Sequence, residues 1–152
     1  GQTDFLGLNY YFGFQVIGLG RPAPGFEDYP IMDFFPDGFD FDPSLLAPAI
    51  EMTAAYGLPI WITENGVADP DEESVDNFLV PSLRVVQEYA ESADIRGYMY
   101  WSLVDNYEWN HGMNMRFGLY EVDLETKERS LRPIGERYRQ VVADHGLPVS
   151  LE

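Results

Sequence analysis

The chain has 152 residues, 45% of them hydrophobic and 15% aromatic, with 26 acidic side chains against 9 basic ones and no cysteine. That is enough apolar material for one domain with its own core, and a formal charge of -17 argues against nucleic acid or an anionic membrane as partner, because cationic side chains supply those attractions. Neither a disulfide nor a thiol nucleophile is available, and His111 and His145 are too few and too far apart for a zinc pattern, so no metal or cofactor is expected.

The first run, Asp4 to Phe12, is short and apolar on both faces, as a strand buried in a parallel sheet should be, and places Asn9 and Tyr11 on one side of its end. Residues 18–42, rich in Gly, Pro, Asp and Phe, read as a long surface loop of the kind that borders a binding site, with Phe34, Phe35, Phe39 and Phe41 as loop-packing residues rather than ligand contacts. Asp42-Pro43 then caps a helix with an apolar stripe of Leu45, Leu46, Ala49, Ile50 and Tyr56 and a stop at Gly57; Pro48 sits awkwardly in it. A second strand, Pro59 to Glu64, runs into Asn65-Gly66, a turn signal. After an acidic loop over 69–76, Phe78, Leu79, Leu83, Val86, Tyr89, Ala90 and Ala93 mark one face of a helix. Gly97 to Leu103 is a third strand, residues 105–123 a polar and aromatic loop with a short hairpin, and Pro133 opens a last helix with Ile134, Tyr138, Val141 and Val142 inward. No apolar run reaches the length of a membrane span and no charged-then-apolar leader opens the chain, so the expected location is cytoplasmic.

Alternation of strand and helix predicts an α/β fold with a parallel sheet. Three such units leave two open strand edges and an uncovered apolar face, so a partner segment is expected to cover them.

The strand ends gather Asn9, Tyr11, Glu64, Trp101, Glu108 and Trp109. Taken singly, each has a plainer reading: an acidic surface, a carboxylate at a turn, indoles in a core. Together they suit a sugar, since an indole covers the apolar face of a pyranose while carboxylate and amide groups bind its hydroxyls. Glu64, at the end of a strand of bulky residues, is a nucleophile candidate. Retaining glycoside hydrolysis needs two carboxyl groups about 5 Å apart, and only the first is evident, with Glu108 an alternative for the second.

Ile62-Thr63-Glu64-Asn65-Gly66 resembles the nucleophile motif of glycoside hydrolase family 1, the β-glucosidases and β-galactosidases with a TIM barrel. Trp101-Ser102-Leu103-Val104-Asp105-Asn106-Tyr107-Glu108-Trp109 with Arg116-Phe117-Gly118-Leu119 resembles its glycone-binding signature, and Asp4 to Tyr11 its Asn-Tyr-Tyr strand. The resemblance spans nearly the whole chain and implies that residues 1–152 are the C-terminal part, about three β/α units, of a TIM (β/α)8 barrel. It implies Glu64 as nucleophile, with Tyr11 bonded to it and helping to keep it ionised. Asn9 would lie near the sugar, Trp101 beneath its ring, Glu108 on hydroxyls 4 and 6, Trp109 on hydroxyl 3, and Phe117 as pocket wall. Glu108 would repel a 6-phosphate, which points to an unphosphorylated β-glycoside. The family's acid/base glutamate, in a Thr-x-Asn-Glu-Pro segment, has no counterpart here. The expected partner is therefore an N-terminal barrel fragment of the same enzyme, without which the chain is inactive. The alternatives are a non-catalytic sugar-binding fragment and a structural half-barrel that associates through its strand edges.

Overall fold

The computed structural model describes residues 3–11, 42–68 and 72–148. Most of the loop read over 18–42, its four phenylalanines included, and the first part of the acidic loop lie outside these residues. Three parallel strands, β1 (Leu6–Asn9), β2 (Ile60–Asn65) and β3 (Ile95–Tyr100), form one sheet in the order β1-β2-β3. Parallel neighbours need a crossover, and the one from β2 to β3 is α2 (Val80–Tyr89), while α1 (Leu46–Ala54) precedes β2. A hairpin of β4 (Tyr120–Val122) and β5 (Arg129–Leu131) then leads into α3 (Pro133–Ala143).

The helices cover one face of the sheet. Leu46 and Ile50 of α1 and Ile60 and Ile62 of β2 are all 0% exposed and form one cluster with Ala93; burying such a side chain stabilises by about 2 kcal/mol. A second cluster joins Phe78, Leu79 and Leu83 to Tyr100, Leu119 and Ile134, and so ties α2, β3 and α3 together. On the other side coverage is thin: Gly7 and Asn9 of β1 are exposed, Met99 of β3 is 47% exposed, and Trp61 and Thr63 of β2 are half-buried. Among the described residues β1 and β3 are also the sheet's two edges, the arrangement expected from three units.

Several boundaries move for local reasons. The first helix begins as a 3-10 turn, Pro43–Leu45, capped by the Asp42 carboxylate, which accepts from the Ser44 amide at 3.0 Å. Pro48 therefore falls in the first turn of α1, where an absent N–H costs little. Because α1 stops at Ala54, Tyr56 lies beyond the helix and is 76% exposed rather than part of the stripe. Before α2 a π-helical turn, Val75–Leu79, adds a residue ahead of Pro81, which has no amide to donate. On α3 Ile134 is buried, but Val142 is 57% exposed, turned past the contact that Tyr138 and Val141 make. No helix among the described residues is long and apolar enough to cross a membrane.

Candidate active site

Strict alternation along β2 would place Glu64 on the same face as Ile60 and Ile62, under the helices. The burial pattern breaks instead: residues 60, 62 and 65 are buried while Thr63 and Glu64 are half-buried. Register shifts account for the break. Leu8 pairs with Ile62 but Asn9 with Glu64, and Tyr98 pairs with Ile62 but Tyr100 with Asn65. One extra residue on β2 turns the strand end and re-aims its side chains, a common use of bulges beside functional sites.

The bulge turns Asn65, not Glu64, into the buried side. Asn65 is 1% exposed, its Nδ2 donates to the Tyr10 carbonyl at 2.7 Å and its Oδ1 accepts from the Tyr98 hydroxyl at 2.8 Å. The reading of Asn65-Gly66 as a turn is thereby corrected: Asn65 is the last strand residue, and its carbonyl accepts from the Trp101 amide at 3.0 Å. Gly66 has a packing reason, because a Cβ there would lie 1.9 Å from the Trp101 carbonyl oxygen.

Glu64 is thus presented beside the ends of both neighbours. The Tyr10 amide donates to its carbonyl at 2.9 Å, and the Tyr11 hydroxyl donates to its Oε2 at 2.7 Å. Asn9 Oδ1 accepts from the Thr63 hydroxyl at 2.6 Å. Burial, then the bond to Glu64 and the charges of Glu64 and Glu108, push the Tyr11 hydroxyl far above the ordinary phenol range. Tyr11 is therefore a permanent donor at any working pH, able to hold the carboxylate in one orientation.

The segment after β3 supplies the other wall. Trp101, half-buried, lies near enough to Glu108 to lower the pKa of its carboxyl. Glu108 stands before a 3-10 turn, Trp109–His111, closed by its own amide donating to the Gly112 carbonyl at 2.7 Å. Burial raises the Glu108 carboxyl above its usual 4.5, against the lowering effects of Trp101 and His111, and the charge of Glu64 adds to the rise. Its Oε1 is buried with no hydrogen-bond partner among the described residues, a costly state for a polar atom. Trp109 has φ 47° and is 67% exposed, while Phe117 is 5% exposed and its carbonyl accepts from the Ser102 amide.

Tyr11, Glu64, Trp101 and Glu108 therefore lie together, while Asn9 pairs with Glu64 across the strands and Trp109 follows Glu108, exposed. Asn65, Tyr98 and Tyr138, whose hydroxyl donates to the Tyr98 carbonyl at 3.0 Å, support this group from behind. Sequence reasoning missed all three in that role; the polar Asn65 inside an otherwise apolar strand is the signal that could have found the first. Among the described residues no group of three His, Asp or Glu side chains could hold a metal ion.

Known proteins are similar to this chain in sequence and fold. The sequence model of glycosyl hydrolase family 1 matches residues 45–147. A β-galactosidase of Sulfolobus acidocaldarius is 36% identical over 167 residues, which cover 99% of this chain and 33% of the relative. A bifunctional β-D-glucosidase/β-D-fucosidase of Bifidobacterium breve is also 36% identical, over 93% of this chain and 37% of its own length. The crystal structure of a hyperthermophilic β-glucosidase from Pyrococcus furiosus superposes with a TM-score of 0.75 at 38% identity, covering 95% of this chain and 34% of that one. The chain thus spans about a third of the length of these relatives. With a family match over most of its length and the same fold at that level of identity, the chain belongs to glycosyl hydrolase family 1, and its α/β fold is a part of that family's TIM barrel.

Proposed function

We propose that residues 1–152 are the C-terminal part of a retaining β-glycosidase of the β-glucosidase type, supplying its nucleophile and glycone-binding residues. The observation that carries the reading is the 2.7 Å bond from Tyr11 to Glu64 at the end of the central strand, with Trp101 and Glu108 gathered beside it. Glu64 attacks the anomeric carbon, the C1–O bond to the aglycone breaks, and a covalent glycosyl-enzyme forms. A proton reaches the leaving oxygen from an acid outside these residues, on barrel strands that also cover the bare face of the sheet. Water, deprotonated by the same group, then releases the sugar and returns Glu64 as a carboxylate. Trp101 lies beneath the ring, Glu108 takes hydroxyls 4 and 6, Trp109 hydroxyl 3, Asn9 faces the acid, and Phe117 backs the pocket wall.

The test is complementation. Alone, the chain is expected to leave a nitrophenyl β-glucoside intact; joined to the N-terminal barrel segment of a family 1 enzyme, it is expected to hydrolyse it and, with a 2-fluoro-glucoside, to carry a sugar adduct on Glu64 by mass spectrometry. Sugar binding without turnover in the joined protein would instead favour a non-catalytic binding fragment. Robust turnover by the isolated chain would put the second carboxyl within it.

The raised Glu108 carboxyl gives a pH prediction. A carboxylate accepts from sugar hydroxyls and a protonated acid does so poorly. Since the folded-state value lies above 4.5, glycone binding is lost as pH falls through that raised value, earlier than for a surface glutamate. KM of the joined enzyme is therefore expected to rise on the acid side, and Glu108→Gln to show a high KM without that limb. An acid limb in KM that persists unchanged in Glu108→Gln would assign it to another group.

A further inference from the structure

We propose that Arg132 and Asp105 form a clamp at the neck of the loop carrying Glu108 and Trp109, and are positioning residues for glycone recognition; the inference rests on the reading of Glu64 and Glu108 above. The loop leaves β3 through residues 101–105 and returns through 116–120. Its two arms are joined by backbone bonds: Ser102 to the Phe117 carbonyl at 3.0 Å, Leu119 to the Ser102 carbonyl at 2.8 Å, Tyr120 to the Leu103 carbonyl at 3.0 Å, and Asp105 to the Tyr120 carbonyl at 3.1 Å. The catalytic-side excursion is what remains between them.

Arg132 grips both arms. Its Nη2 donates to Asp105 Oδ2 on the outgoing arm at 2.8 Å, and its Nη1 donates to the carbonyls of Arg116 and Gly118 on the returning arm at 3.1 and 3.3 Å. Asp105 completes the circuit, its Oδ1 accepting from the Gly118 amide at 2.9 Å. The arms approach so closely that a Cβ on Gly118 would stand 2.3 Å from the Asp105 nitrogen. Among the described residues the Arg132 side chain bonds only to the loop, its buried Nε having no partner, while its own amide bonds the Leu119 carbonyl at 3.0 Å and the next residues, Pro133 and the buried Ile134, root it in α3 and the core. The clamp thus fixes the loop to the rigid part of the fold.

Burial decides that this pair matters more than its neighbour. The Arg132 and Asp105 side chains are 2% and 7% exposed, whereas Arg116 of the returning arm and Glu121 of β4 are 3.7 Å apart with 44% and 45% exposure. An exposed pair contributes little, but a buried one cannot lose a partner without leaving an uncompensated charge. A planar guanidinium is also required, because one ammonium cannot reach a carboxylate and two carbonyls in a fork.

The experiment compares the joined enzyme with its Arg132→Lys and Asp105→Asn forms, counting active sites by 2-fluoro-glucoside labelling of Glu64. Per labelled site, KM for a β-glucoside is expected to rise about tenfold with kcat within about threefold, as for residues that act through a shared contact. The preference for the glucoside over its 6-deoxy analogue is expected to fall by a similar factor, and in a Glu108→Gln background the same substitutions are expected to change that preference no further. Amide hydrogen exchange is expected to accelerate over 106–116 and not in β3 or α3. Unchanged KM and preference per labelled site, additivity with Glu108→Gln, or acceleration spread through α3 would overturn the clamp, as would failure of both variants to fold, which would make the pair a support of the whole fold. If the parent enzyme takes no label, the proposed function is what fails, and exchange in the loop still decides the clamp.

Discussion

Glu64→Gln in the joined enzyme is expected to lower kcat/KM for an aryl β-glucoside by roughly 10³-fold or more, the scale of losing a covalent nucleophile. The substitution keeps the shape of the side chain and an oxygen to accept from Tyr11, so the 2.7 Å contact can survive and the fold has no reason to change. What disappears, on the proposed reading, is the negative charge that attacks the anomeric carbon and offsets the positive charge developing there. The thermal midpoint should stay close to that of the parent and glucose should still bind. Steady-state kinetics beside a melting curve separate these outcomes: activity within tenfold of the parent would remove Glu64 from the chemistry, and a collapsed melting curve would leave the loss to unfolding.

Gly66→Ala is expected to destabilise the fold by about 3 kcal/mol, as overpacking against immobile atoms does. The added Cβ would meet the Trp101 carbonyl oxygen at 1.9 Å, its carbon at 2.8 Å and the Trp101 Cα at 3.2 Å, all backbone. No side chain can swing aside, so the ends of β2 and β3 must part where the Asn65 carbonyl accepts from the Trp101 amide. Glu64 and Trp101 sit on those two ends, and activity should fall with stability. Gly57→Ala is the control. There a Cβ meets nothing within 4 Å and only the left-handed φ of 67° opposes it, worth about 1 kcal/mol. Urea denaturation of the two variants checks the ranking, and a Gly66→Ala protein within about 0.5 kcal/mol of the parent would mean that the strand ends are not held this tightly.

The alternation of strand and helix was legible because each element announces itself locally: Ile60 and Ile62 two apart, Phe78, Leu79 and Leu83 at helical spacing, Asp42-Pro43 before a stripe. Errors fell where a local signal had two structural outcomes. Asn65-Gly66 is a turn signal in isolation, yet here the amide side chain finds two buried partners, Tyr10 and Tyr98, and becomes part of the strand. Tyr56 and Val142 fit an apolar stripe by number, but one lies past the helix end and the other past the edge of the contact.

From the sequence by itself followed the α/β class, and with it the expectation of a covering segment and of side chains suited to a sugar, because composition, period and residue chemistry are properties of neighbours along the chain. Only the tertiary structure decided that Glu64 stays half-buried and bonded to Tyr11 while Asn65 goes under, since that depends on one extra residue in the register between three strands. It also decided that Arg132 closes the loop that begins 27 residues earlier at Asp105. Such contacts are chosen by burial and hydrogen-bond satisfaction across distant segments, and no local pattern records them.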